Sequence, residues 1–174
     1  CTKITSVACG NDNFVCNNGV LYENTPGGKK IIEGLETRGS VVGSGTVNVS
    51  NDPDLANVSE IADGAFTDCI YLRAADFTGV DNIDEIPEDC FSGCYNLTEV
   101  DVPSNATEIG EEAFATGGDY LKATVRNKNL YLGDDSNGPT GDKVKTAYYV
   151  TYEDAPSRKI AKKQGYIVDQ TLDD

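Results

Sequence analysis

The chain is 174 residues long, 39% hydrophobic and 25% charged, with a formal net charge of −15 and no histidine. That length buries a real core in one domain or one short array of repeats, and no run approaches the roughly 18 apolar residues that a membrane helix needs. The charge is concentrated: residues 54–119 hold sixteen Asp and Glu against one base, Arg73, which repels phosphate backbones and anionic lipid and argues against nucleic acid or a membrane surface as partner.

Cys1 stands where a mature bacterial lipoprotein carries its acyl chains, although an arbitrary boundary reads the same. Six cysteines in so acidic a chain fit an oxidising, extracytoplasmic compartment better than the cytosol. The first patterned stretch, NFVCNNGVLYENTPGGKKII at 13–32, reads as two strands joined by an Asn18-Gly19 turn, with a second turn at Pro26-Gly27-Gly28. Residues 1–45 are therefore expected to form a hairpin-like cap. TVNV, 46–49, suits a strand, followed by the turn-rich insertion NDPDL.

From here a period governs the chain. Ile61, Phe66, Cys69, Leu72 and Phe77 recur 25 residues on as Ile86, Phe91, Cys94, Leu97 and Val102. A further 23 residues on come Ile109, Phe114 and Val125, with Gly117 in place of the cysteine and Leu121 one residue late. Such a period belongs to a stacked solenoid, in which no coil buries its apolar face alone. LTEVDVP, 97–103, alternates apolar and polar and ends in a proline, as a short strand does. IGEEAFATG, 109–117, spaces Ile109, Ala113 and Phe114 helically, so a helical or 3₁₀ return is expected. The fold class that follows is α/β: a leucine-rich-repeat solenoid with short parallel strands, short helical or 3₁₀ returns and few long helices. Residues 46–126 form its repeats. The polar loop GDDSNGPTGDK, 133–143, the strand AYYVTY, 147–152, and the helix SRKIAKKQG, 157–165, stopped by Gly165, make residues 127–174 a C-terminal cap.

CYNLTEVDVPSNATEIGEEAFATG, 94–117, resembles the BspA-like, or Treponema pallidum-type, leucine-rich repeat: cysteine, two residues, leucine, a strand, proline, then Ile-Gly and Ala-Phe. NGVLYENT resembles the hairpin-like element found beside those repeats, and AKKQGYIV their closing segment. The resemblance covers most of 14–168 and is strongest over 58–118. Cys90, where the other units carry Ala65 and Ala113, the substituted Gly117 and the two inserted loops depart from the pattern. The resemblance implies a secreted or cell-surface bacterial protein, often an adhesin that binds a host or neighbouring-cell surface or matrix protein.

Candidate chemistry is sparse. Cys90 and Cys94 lack the histidine and the second cysteine pair that structural zinc would need. Core thiols are the plainest reading of the cysteine column, with a Cys69 to Cys94 disulfide between stacked coils and a Cys9 to Cys16 pair as alternatives. Asp81, Asp84, Glu85, Glu88 and Asp89 offer oxygen ligands for calcium or, more simply, a solvated face. Without histidine there is no Ser-His or Cys-His nucleophile, and no GxGxxG, Walker or HExxH motif occurs, so neither an enzyme nor a cofactor is expected. Sequons at Asn48, Asn57, Asn96 and Asn105 are what Asn-rich turns produce by chance.

Solenoids bind through the exposed residues of their strands. The register puts Arg73, Ala74 and Asp76 on one strand, Thr98, Glu99 and Asp101 on the next, and Lys122, Thr124 and Arg126 on the third, grading from acidic to basic. This face is expected to meet a surface or matrix protein. A structural spacer without a ligand is the alternative, and a calcium-dependent module ranks third.

Overall fold

The computed structural model describes residues 10–35, 45–49, 52, 53, 55, 57–132, 139, 140, 144, 146–168, 171 and 172. Its elements are β1 (Phe14–Asn17), β2 (Val20–Thr25), β3 (Gly28–Gly34), β4 (Thr46–Asn48), β5 (Val58–Ile61), β6 (Ala74–Asp76), β7 (Glu85–Ile86), β8 (Glu99–Asp101), β9 (Glu108–Ile109), β10 (Leu121–Thr124), β11 (Ala147–Val150) and the helix α1 (Ser157–Lys163).

The expected hairpin forms: β1 and β2 pair antiparallel around Asn18 and Gly19, both at positive φ (49° and 81°), the geometry that Asn-Gly turns favour. β3 pairs antiparallel with β2 and parallel with β5, so this N-terminal sheet continues directly into the solenoid. On the opposite side β4, β6, β8, β10 and β11 form one parallel sheet. The AYYVTY segment adds its strand to that same sheet beside β10. β7 and β9 pair parallel in a third, shorter sheet, which Tyr131 extends by a bridge to Glu108.

The returns differ from expectation. Ile109 belongs to β9, and among the described residues α1 is the only helix; residues 63–68, 88–93 and 111–114 run through turns. Left-handed residues explain this: Gly64, Asp89 and Glu112 recur two residues before each core phenylalanine, at φ 63°, 54° and 50°. One consequence is an alternation of hydrogen bonds. Thr67 and Cys69 donate to Gly64 and Phe66 within their own coil, whereas Phe66 and Asp68 donate to Cys90 and Ser92 of the next. The following coil does the same, with Ser92 and Cys94 bonding locally and Phe91 and Gly93 reaching Ala113 and Ala115. A helix would turn every amide inward; here every second one stitches coil to coil, which gives these backbone groups partners.

The repeated apolar columns meet in the middle. Phe66 and Phe91 stack with centroids 5.3 Å apart, Phe114 follows at 6.1 Å, and Phe77 meets the edge of Phe91 at 6.3 Å. The Ile61, Ile86, Ile109 and Leu72, Leu97, Leu121 columns are buried beside them. At about 1.5–3 kcal/mol for each fully buried large side chain, these columns dominate the driving force for stacking. At the C-terminal end Tyr149 and Tyr166 pack edge to face at 5.9 Å, and Tyr149 shares a 2.7 Å hydrogen bond with Ser157 of α1. The helix ends as expected, with Gln164 and then Gly165 at φ 88°.

Candidate binding face

Register in the five-stranded sheet sorts its side chains. Val47, Ala75, Val100, Ala123 and Tyr149 lie opposite one another and are buried. The residues before and after them form two outward rows, since neighbours along a strand alternate faces. One row is Thr46, Ala74, Glu99, Lys122 and Tyr148; the other is Asn48, Asp76, Asp101, Thr124 and Val150. Five of the expected face residues, Asp76, Glu99, Asp101, Lys122 and Thr124, thus come together with Ala74, with qualifications. Arg73 and Thr98 sit one residue before their strands, where the Arg73 carbonyl accepts from the Thr98 amide and hydroxyl. Thr124 is buried. Arg126 lies two residues past β10 and points back to Asp101, 2.9 Å away.

The two rows differ in what they leave available. Asp76 accepts from Asn48 at 2.8 Å and from the Thr78 amide and hydroxyl at 2.8 and 2.6 Å. With Asp101 paired to Arg126, the second row is largely satisfied from within, which blunts the expected grading of charge. Among the described residues Arg73, Glu99 and Lys122 form no salt bridge. The first row therefore carries the charges a partner can meet.

Beside that row is a feature the sequence reading did not single out. Tyr71, Tyr95 and Tyr120 are 60%, 59% and 39% exposed, one in each coil at the entrance to β6, β8 and β10. Tyr120 packs against Tyr148 of the outward row at 5.3 Å. Tyr95 lies over Gly117 and Gly118 of the next coil. The tyrosines escape the repeat pattern because they occupy shifted positions: Tyr71 and Tyr120 precede the core leucine directly, whereas Tyr95 is two residues ahead of it. A large aromatic outside every buried column is the signal that could have found them.

The acidic middle segment is dispersed. Asp81 accepts from the Ser104 hydroxyl at 3.0 Å, while Asp84 and Glu85 line a cleft of about 490 Å³ with Lys30, Glu60, Asp63 and Pro87 on the side opposite the five-stranded sheet. Lys30 pairs with Glu60 there. Glu88 and Asp89 belong to a separate hollow with Ser92. Burial, followed by Glu108, Asp63 and Asp84, holds the Glu85 carboxyl above its ordinary range. Among the described residues no three carboxylates or thiols converge to hold a metal ion, so the calcium candidates Asp81, Asp84, Glu85, Glu88 and Asp89 do not form one site. The coil geometry spreads them over a strand, a turn and a return.

Cys69, Cys90 and Cys94 are buried thiols, and Cys16 is a half-buried thiol in β1. Cys9 lies outside the described residues, and its pairing with Cys16 with it. Cys69 donates to the Gly34 carbonyl at 3.4 Å and Cys94 to the Phe66 carbonyl at 2.9 Å. A hydrogen bond to Cys69 and burial together push the Cys94 thiol far up; burial alone does most of this at Cys90.

Stacked coils of one face strand and one short strand, with Leu, Ile, Phe and Cys columns inside, define a leucine-rich-repeat solenoid. Residues 47–136, just over half of the chain, match the BspA type leucine rich repeat region in six copies, and the chain belongs to that family. A leucine rich cell surface protein from Faecalibacterium prausnitzii A2-165 is similar in fold over 90% of this chain, with a TM-score of 0.53 and 19% identity; the chain spans 44% of that protein's length. At that identity the likeness is one of fold. No curated protein sequence matches the chain. No helix among the described residues is long and apolar enough to cross a membrane.

Proposed function

We propose that this chain is a protein-binding module of a bacterial cell-surface or secreted protein, adhesin-like in action, which presents the face of its five-stranded sheet to a surface or matrix protein outside the cell. The observation that carries this reading is the association of exposed tyrosines with charges that form no salt bridge among the described residues: Tyr71, Tyr95 and Tyr120 flank a row bearing Glu99, Lys122 and Tyr148, with Arg73 at its edge. Tyrosine and arginine are enriched at protein interfaces because they give large contact area at low conformational cost with a polar end for hydrogen bonding. The rigid parallel sheet presents them without an ordering cost. Charges of both signs on one row favour an oriented encounter. Recognition fits the face better than catalysis does, since the chain has no histidine and Asp76 and Asp101 are engaged by Asn48 and Arg126. Membership of the BspA-type repeat family supports the extracytoplasmic setting.

The test is adhesion of the purified chain to immobilised matrix proteins and to whole cells. A Tyr71→Ser, Tyr95→Ser, Tyr120→Ser triple variant and a Glu99→Lys variant should lose binding while keeping their melting curves. A control on the opposite face, Glu85→Gln, should bind as the parent does. Equal binding by all of them, or none by any, would favour a spacer that holds other domains away from the cell wall.

A further inference from the structure

The cysteine column has a use that the binding face does not absorb. Cys69 and Cys94 stand opposite each other in adjacent coils: their strands pair Ala74 with Glu99, five residues on in each case. Between them and those strands, the amide of Thr98 donates to the Arg73 carbonyl, and before them the amide of Asp68 donates to the Ser92 carbonyl. The two coils are therefore in register on both sides of the pair. Parallel backbones so joined run about 5 Å apart, inside the roughly 4.4–6.8 Å that a disulfide spans between Cα atoms. The Cys94 thiol also reaches back across the gap: it donates to the Phe66 carbonyl, 2.9 Å away in the coil that carries Cys69.

We infer that Cys69 and Cys94 are a covalent staple site, closed into a disulfide that ties the first coil to the second when the chain folds in the presence of a small-molecule disulfide. The step balances as two exchanges. One cysteine, as its thiolate, attacks the small disulfide and releases one small thiol; the other then attacks the mixed disulfide and releases the second. Two protons leave the protein, among them the one that Cys94 donates to Phe66. Two electrons pass to the small disulfide, which is reduced to two thiols.

Timing follows from burial. Both side chains are 2% exposed or less in the closed solenoid, so neither meets an oxidant once the coils have stacked. The bridge forms while the coils are still closing. Cys90, also buried, is in the alanine column of the repeat rather than opposite Cys69, which leaves it as the thiol that stays reduced.

The experiment refolds the reduced, denatured full chain by dilution into a mixture of reduced and oxidised glutathione, blocks free thiols with iodoacetamide and maps tryptic peptides. Residues 39–73 and 74–122 should be recovered cross-linked, both in the parent and in a Cys90→Ala variant, which places alanine where the neighbouring coils have it. The oxidised parent should melt about 6–12 °C above its reduced form, a gain that Cys94→Ala abolishes. Folded reduced protein given oxidised glutathione should keep Cys69 and Cys94 as thiols. Recovery of both peptides separately and alkylated after oxidative refolding, or loss of the cross-link in Cys90→Ala, would overturn the inference.

Discussion

Tyr95 of one coil rests on Gly117 of the next: a Cβ built at Gly117 would lie 2.6 Å from the Tyr95 ring. Gly117 is where the two preceding units carry Cys69 and Cys94, so the apparent break in the repeat makes room for an exposed aromatic. Its φ of 74° adds a second demand, since that backbone geometry suits glycine. Gly117→Ala should therefore lower stability by about 1–3 kcal/mol and displace the ring. Urea denaturation would show the loss as a fall in midpoint at unchanged slope, and near-ultraviolet circular dichroism, free of tryptophan here, would register the altered tyrosine.

Asparagine side chains stitch the coils on another edge. Asn105 donates its side-chain amide to the Asp81 carbonyl at 2.7 Å, Asn127 to Ala106 at 2.8 Å and Asn96 to Ile70 at 2.6 Å, each reaching the preceding coil. Removing one leaves a backbone carbonyl to find water. Asn105→Ala should cost about 0.5–1.5 kcal/mol, measured by the same denaturation. The engaged amides also bear on the sequons: glycosylating Asn96 or Asn105 would require breaking these bonds. Each should stay unmodified in a glycosylating host, as intact mass would show.

What was legible in the sequence was whatever repeats in register. The strands β6, β8 and β10 and the buried Leu, Phe and Cys columns follow from a period near 24 residues combined with alternation of apolar and polar residues. So does the row of Ala74, Glu99 and Lys122. The returns run as turns although Ile109, Ala113 and Phe114 have helical spacing, because left-handed residues interrupt them. Asp89 and Glu112 hold left-handed positions that only Gly64, in the first return, announces. The acidic run at 81–89 left calcium ligation open beside the simpler solvated face because sequence proximity ignores how a coil turns its successive segments to different sides. Tyr71, Tyr95 and Tyr120 stayed hidden for the opposite reason, as their shifted positions obscure a shared location.

The left-handed aspartate supplies a stabilising substitution. Asp89 adopts φ 54° at the position that Gly64 fills one coil earlier, and its backbone carbonyl, which accepts from Thr67 and Ser92, survives any change of side chain. An L-residue in this region carries about 1–2 kcal/mol of steric cost, partly offset by the greater freedom glycine has when unfolded. Asp89→Gly should raise stability by about 0.5–1 kcal/mol. A lower melting temperature than the parent's would show that the side chain contributes more than its conformation costs.

Glu85 gives a pH dependence with a definite sign. It pairs in register with Glu108 on β9, and burial first, then Glu108, Asp63 and Asp84, raises its carboxyl above the ordinary value of 4.5. A carboxyl with a higher pKa folded than unfolded binds its proton more tightly in the native state, so its ionisation opposes folding. That penalty is fully present above the folded pKa and is relieved as pH falls through it toward the unfolded value. At pH 7 Glu85→Gln should therefore melt above the parent. The difference should narrow as pH is lowered through the folded pKa of Glu85 and vanish below its unfolded value. Ion-pair breakage elsewhere, at Arg126 with Asp101 for example, acts on both proteins alike and cancels in the comparison. A gap that stayed constant from pH 7 to pH 4 would mean that the glutamine acts through packing in the cleft and not through the charge on Glu85.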